Sequence, residues 1–109
     1  MPGPSCTLPE LFREEPMFYL LMSLSKGDKC GIDISEYISR KSSGRVQLGP
    51  GTLYALLSEF EQEGIIKYVG IEGKRKIYRI TELGGKMYSD ELLRLRRCIA
   101  DAEGGDEYE

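Results

Sequence analysis

Apolar positions along this chain follow a helical period in four stretches and alternate in three. The clearest helical stretch opens at Gly49-Pro-Gly51, where Leu53, Leu56, Leu57 and Phe60 then fall at i, i+3, i+4 and i+7, one apolar face of an α-helix. Pro50 suits the first turn or the position before it, the Thr52 hydroxyl is placed to cap, and Gly64 closes the segment. Upstream, Leu11, Phe12, Phe18, Leu20, Leu21, Met22 and Leu24 predict a helix from about Glu10 to Lys26, with Pro16 in its first turn or at the start of its main part. It is apolar on more than one side. Lys26–Gly31 reads as a turn. A second helix follows with Ile32, Ile34, Tyr37 and Ile38 apolar, and with Asp33, Ser35 and Glu36 supplying its cap and early acids.

Alternation takes over in three places. Arg45-Val-Gln-Leu48 suits a very short strand, and Ile65–Ile71 and Lys76–Thr81 suit two longer ones. Glu72-Gly73-Lys74-Arg75 between the longer pair predicts a hairpin turn with Gly73 at positive φ. Thr81 is placed to cap a last helix. In it Tyr88, Leu92, Leu95, Ile99 and Ala102 step by four, three, four and three, a heptad-like seam. So small a domain has little of its own left to cover that seam, which suggests a second copy; packing on the first helix is the alternative.

At 109 residues there is room for one domain. The N-terminus has neither a basic nor an apolar leader pattern and no apolar run reaches membrane-spanning length, so cytoplasm is the expectation. Cys6, Cys30 and Cys98 are few, scattered and odd in number, and histidine is absent, which argues against a disulfide framework and a zinc site. Cys30 and Cys98 are expected as small core or interface residues, with a redox switch as the alternative. Without histidine, and without a glycine-rich phosphate loop, an enzyme is not expected, nor is a cofactor.

The net charge of −3 hides its distribution. Residues 37–58 contain Arg40, Lys41 and Arg45 and no acid; residues 73–81 contain Lys74, Arg75, Lys76 and Arg79 and no acid; five acids crowd 101–109. The third helix carries no acid in its first two turns and ends in Glu59, Glu61 and Glu63. That arrangement frees its N-terminal end to approach a polyanion.

Helix, helix, short strand, helix, hairpin, helix is the order of a winged helix-turn-helix: mainly α with a small β-hairpin. At the level of residues, Leu48-Gly-Pro-Gly-Thr-Leu-Tyr-Ala-Leu-Leu57, Glu61-Gln-Glu-Gly-Ile-Ile66 and Lys74-Arg-Lys-Ile-Tyr-Arg-Ile-Thr-Glu-Leu-Gly84 resemble the PadR-like transcriptional regulators. That family's pattern runs Pro-Gly-Thr-Leu-Tyr, Leu-Glu, Gly-Leu-Ile, an Arg/Lys-Tyr wing strand, then Tyr-x-Leu-Thr-x-x-Gly. The likeness spans about residues 16–100. Gly31-Ile32 stands where the family often has Gly-Tyr, and Phe60-Glu61 where it more often has Leu-Glu.

The resemblance implies a homodimeric DNA-binding regulator, usually a repressor, on a palindromic operator in double-stranded DNA. It divides the chain into an arm (1–9), a winged helix-turn-helix (10–81), a C-terminal dimerisation helix (82–102) and an acidic tail (103–109). Thr52 and Tyr54 are then expected at phosphate and Ala55 and Ser58 at base edges, with Arg45 or Gln47 adding to sequence choice. Lys74, Arg75 and Lys76 form the wing, while Lys67 and Arg79 depend on which way the strands turn them. Tyr88, Leu92, Leu95 and Ile99 form the dimer seam. Core packing is the alternative for Tyr54, and a solubilising edge cover the alternative for the wing cations. The resemblance also leaves room for a small hydrophobic or aromatic effector between subunits. The drug-binding members use a tryptophan in the last helix that this chain lacks. A winged-helix protein-interaction module is the competing function.

Overall fold

The computed structural model describes residues 15–105. Expectations for residues 1–14 and 106–109, including Cys6, the arm and the first turn proposed for the first helix, lie outside that range. Four helices and three strands follow one another as α1 (Glu15–Ser25), β1 (Lys29–Cys30), α2 (Gly31–Lys41), α3 (Pro50–Gln62), β2 (Ile66–Glu72), β3 (Arg75–Ile80) and α4 (Glu82–Glu103). The sheet is antiparallel in the order β1-β3-β2, so α2–α3 with its β wing forms the expected winged helix-turn-helix.

One apolar cluster holds these elements together. Leu20, Leu21 and Leu24 of α1, Ile34 and Ile38 of α2, and Leu53, Leu57 and Phe60 of α3 meet Ile65, Ile66 and Tyr78 of the wing. Phe60 is fully buried, and burial of a ring that size contributes about 2–3 kcal/mol. The i, i+3, i+4, i+7 face read from the sequence is the buried face of α3.

The short strand is not where alternation placed it. Arg45–Leu48 does alternate, with Val46 and Leu48 buried and Arg45 and Gln47 exposed, but it joins no sheet. Its backbone is satisfied by side chains instead. The Val46 N–H donates to Ser42 Oγ at 2.9 Å, Ser42 Oγ donates back to the Val46 carbonyl at 3.2 Å, and Ser35 Oγ donates to the Leu48 carbonyl at 3.3 Å. The strand that pairs with β3 is Lys29–Cys30, inside the stretch read as a turn, with Cys30 opposite Ile77.

Two caps also differ from expectation. Helix α3 starts at Pro50 with Gly49 as N-cap, so Thr52 lies inside the first turn and caps nothing. Proline's fixed φ starts the helix three residues earlier than a Thr52 cap would. Helix α2 starts at Gly31, with Cys30 as an N-cap that offers no side-chain bond, so Asp33, Ser35 and Glu36 all lie inside it.

The wing and its junction with α4 follow the sequence closely. Gly73 turns the hairpin at φ 63°. Thr81 caps α4 by accepting the Gly84 N–H at 3.1 Å, while its hydroxyl donates to the Ile65 carbonyl at 2.8 Å. Gly84 is buried there, and a Cβ on it would collide with the Ile65 carbonyl oxygen. The Thr-x-x-Gly pair thus pins the last helix against the base of β2.

Candidate nucleic-acid interface

Burial on one side of α3 leaves the other side open. Thr52, Tyr54, Ala55 and Ser58 are all exposed, and Tyr54 is 52% exposed. Three of the four are small, so this face could approach a groove floor closely and offers few long hydrogen-bonding arms. Glu59, Glu61, Gln62 and Glu63 at the far end are exposed too, leaving the N-terminal half of α3 free of acid.

The wing stands beside that open face. Within β3, Lys76 and Tyr78 share one side and Ile77 and Arg79 the other, as strand alternation requires. Lys76 lies over the ring of Tyr68, 5.6 Å from its centroid, and Tyr68 is the cross-strand partner of Tyr78. Burial, with the Glu61 carboxylate nearby, pushes the Tyr78 hydroxyl above its usual pKa, so it stays neutral. Between this side of the wing, Tyr54 and the start of α2 lies a cleft of about 340 Å³, lined by Cys30, Gly31, Ile32, Tyr54, Tyr78 and the three wing cations. Among the described residues no carboxylate lines it.

The basic residues separate into two kinds. Among the described residues, no carboxylate pairs with Lys74, Arg75 or Lys76. Arg45 and Arg79 are committed. Arg45 pairs with Glu15, donates to Tyr19 Oη at 3.0 Å and lies over the Tyr19 ring, which raises its pKa. Arg79 holds both oxygens of Asp28, with Nη2 to Oδ2 at 2.8 Å and Nε to Oδ1 at 3.1 Å. Asp28 lies in the α1–β1 turn on the far side of the sheet from the cleft, so alternation does turn Arg79 away. Lys67, opposite Arg79, shares its side. Gln47 is exposed and donates to the Gly44 carbonyl at 3.2 Å.

The seam residues of α4 fall into two groups. Tyr88 stacks on Phe18 of α1 with centroids 5.1 Å apart, so it packs within its own chain. Leu92 and Leu95 are half-buried, and Ile99 is 55% exposed. Leu93, which the heptad reading missed, is 54% exposed. Cys98 is exposed rather than core, near Arg94, whereas Cys30 is buried. Among the described residues there is no metal-ligating cluster, and no helix is long and apolar enough to cross a membrane.

The model of the transcriptional regulator PadR-like family matches residues 20–90. An uncharacterised protein of Lysinibacillus sphaericus is 37% identical over 79 residues, covering 69% of this chain and 72% of that protein. A transcriptional regulator from Clostridium thermocellum has a similar structure, with a TM-score of 0.66 at 30% identity over 79% of this chain and 89% of the other. Bacillus subtilis PadR, solved in complex with operator DNA, gives a TM-score of 0.62 at 26% identity over 69% of this chain. The chain spans 45% of that protein.

Proposed function

The chain belongs to the transcriptional regulator PadR-like family, and from that premise we propose that it is a sequence-specific DNA-binding regulator, a repressor acting in the cytoplasm as a homodimer on a palindromic operator. Helix α3 enters the major groove with Ala55 and Ser58 nearest base edges and Thr52 and Tyr54 at phosphate. Lys74, Arg75 and Lys76 track the adjoining backbone, and Arg45 and Gln47 supplement base choice from the end of the α2–α3 loop. The observation that carries this reading is the wing trio, which pairs with no carboxylate among the described residues, beside an acid-free, exposed half-helix. A wing that served only to solubilise an edge strand would have no reason to keep acids out of the cleft it shares with α3.

Residues 10–81 act as the DNA-binding unit and 82–102 as the dimerisation helix. Leu92, Leu95 and Ile99 meet a second copy, with Tyr88 buttressing them from Phe18. A small hydrophobic or aromatic effector that releases DNA would enter between α1 and the paired α4 helices. The test of the whole reading is binding of the full chain, across a salt series, to the duplex just upstream of its own gene and to a random-sequence duplex. Saturable binding with a steep salt slope and a two-fold footprint on the first is expected. Binding to neither duplex, or binding insensitive to salt, overturns the DNA reading in favour of a protein partner. Leu95→Glu is expected to give monomers by light scattering and to lose operator binding with them; a variant that stays dimeric places the seam elsewhere.

A further inference from the structure

Gly31 is the first residue of α2, and its backbone does not need glycine: it is absent from the residues with positive φ. What it does have is a close neighbour. A Cβ built there would lie 2.9 Å from Tyr54 Oη and 3.2 Å from Tyr54 Cζ and Cε1. The exposed tyrosine of α3 is therefore laid across the start of α2, and only a residue without a side chain leaves it room. Tyr54 and Gly31 are both walls of the acid-free cleft beneath Lys74, Arg75 and Lys76.

We propose that this cleft is a preformed seat for one backbone phosphate of bound duplex DNA, and that Gly31 is the positioning residue that fixes the Tyr54 hydroxyl within it. The inference rests on the DNA-binding reading and extends it to a residue that makes no contact of its own. The chemistry of the lining fits a phosphate diester: ammonium and guanidinium groups supply charge, and the Tyr54 hydroxyl supplies one directed donor. The neighbouring depression sets Asp33 and Glu72 against Lys74 and Arg75, so its charges balance and it offers the same anion no net attraction. Because the atom nearest the missing Cβ is the free end of a side chain, an added methyl moves Tyr54 more easily than it moves α2. Function is then lost without the fold.

The test is a double-mutant cycle on the full chain with a random-sequence duplex, since a phosphate contact is blind to sequence. Tyr54→Phe and Gly31→Ala are each expected to weaken binding about tenfold, the effect of removing one donor from a charged acceptor. The salt slope stays as in the parent, because neither change alters charge. The double variant is expected to be no weaker than either single one. The unfolding temperature of Gly31→Ala is expected to hold or rise, since alanine is the better helix former. Gly31→Ala binding as tightly as the parent, or losses that multiply in the double variant, overturns the positioning role. If Tyr54→Phe binds as the parent does, the phosphate seat falls. A parent chain that fails to bind any duplex refutes the DNA reading itself, a result distinct from these.

Discussion

The two ends of β3 carry similar charge and are wired in opposite ways. At the tip, Lys74 of the turn, Arg75 and Lys76 line the cleft and pair with no carboxylate among the described residues, although Arg75 falls on Arg79's side of the strand and, with Lys74, also borders the depression that holds Asp33 and Glu72. At the base, Arg79 is locked bidentate on Asp28 and points to the other side of the sheet. Counting basic residues in a window treats the four as one patch. The structure divides them into three cations available to a polyanion and one that already has its anion. Arg45, in the other basic window, belongs with Arg79 in being paired.

The difference between the two ends is largest in DNA binding at the tip. Lys74→Ala combined with Arg75→Ala is expected to weaken binding to any duplex by roughly 100-fold at low salt and to lower the salt slope by about two, one for each phosphate that is no longer neutralised. Filter binding at several ionic strengths reads both. An unchanged slope would mean that the tip cations serve solubility alone. Arg45 tests the intermediate case. For it to reach DNA it must exchange the Glu15 carboxylate for a phosphate, so Glu15→Gln is expected to strengthen binding a few-fold, and Arg45→Ala to weaken it. If Glu15→Gln leaves affinity untouched, Arg45 stays with α1 in the complex and plays no part in holding DNA.

These distinctions mark where the sequence stops being readable. The face of α3, the Gly73 turn and the Thr81 cap were legible because each depends on neighbours within a few residues: a period, a required φ, a hydroxyl one turn from its donor. Strand β1 was not, because two residues become a strand only when another strand's free edge lies beside them. The pairing of Arg45 with Glu15 across 30 positions, and of Arg79 with Asp28 across 51, leaves no local trace. Alternation at Arg45–Leu48 correctly gave which side chains are buried and wrongly gave a strand, since the hydroxyls of Ser42 and Ser35 take the place of a ladder. Gly31 gave no signal of its own, because the stretch read as a turn ended on it and a turn accounts for a glycine. What it makes room for became visible only with Tyr54 across it.

The smallest effects are expected at the base of β3, and there stability should move more than binding. Arg79→Ala is expected to leave the salt slope on DNA unchanged; a drop of about one would return Arg79 to the DNA-facing set. The Arg79 guanidinium holds the Asp28 carboxyl below its usual range, and Arg94 does the same for Glu91 through a 2.6 Å contact on α4. A carboxylate whose pKa is lower in the folded chain than in the unfolded one adds stability above its unfolded value. That contribution disappears as pH falls through the folded value. Unfolding temperature should therefore be flat near neutrality and decline below about pH 4, where ordinary carboxylates begin to protonate. Asp28→Asn is expected to remove its share of that decline while lowering the neutral plateau slightly, because both partners are largely exposed and screened. Thermal melts of parent, Asp28→Asn and Arg79→Ala across the acid limb decide it. If all three decline in parallel, the base pair contributes nothing that titrates, and Arg79 is held only by geometry.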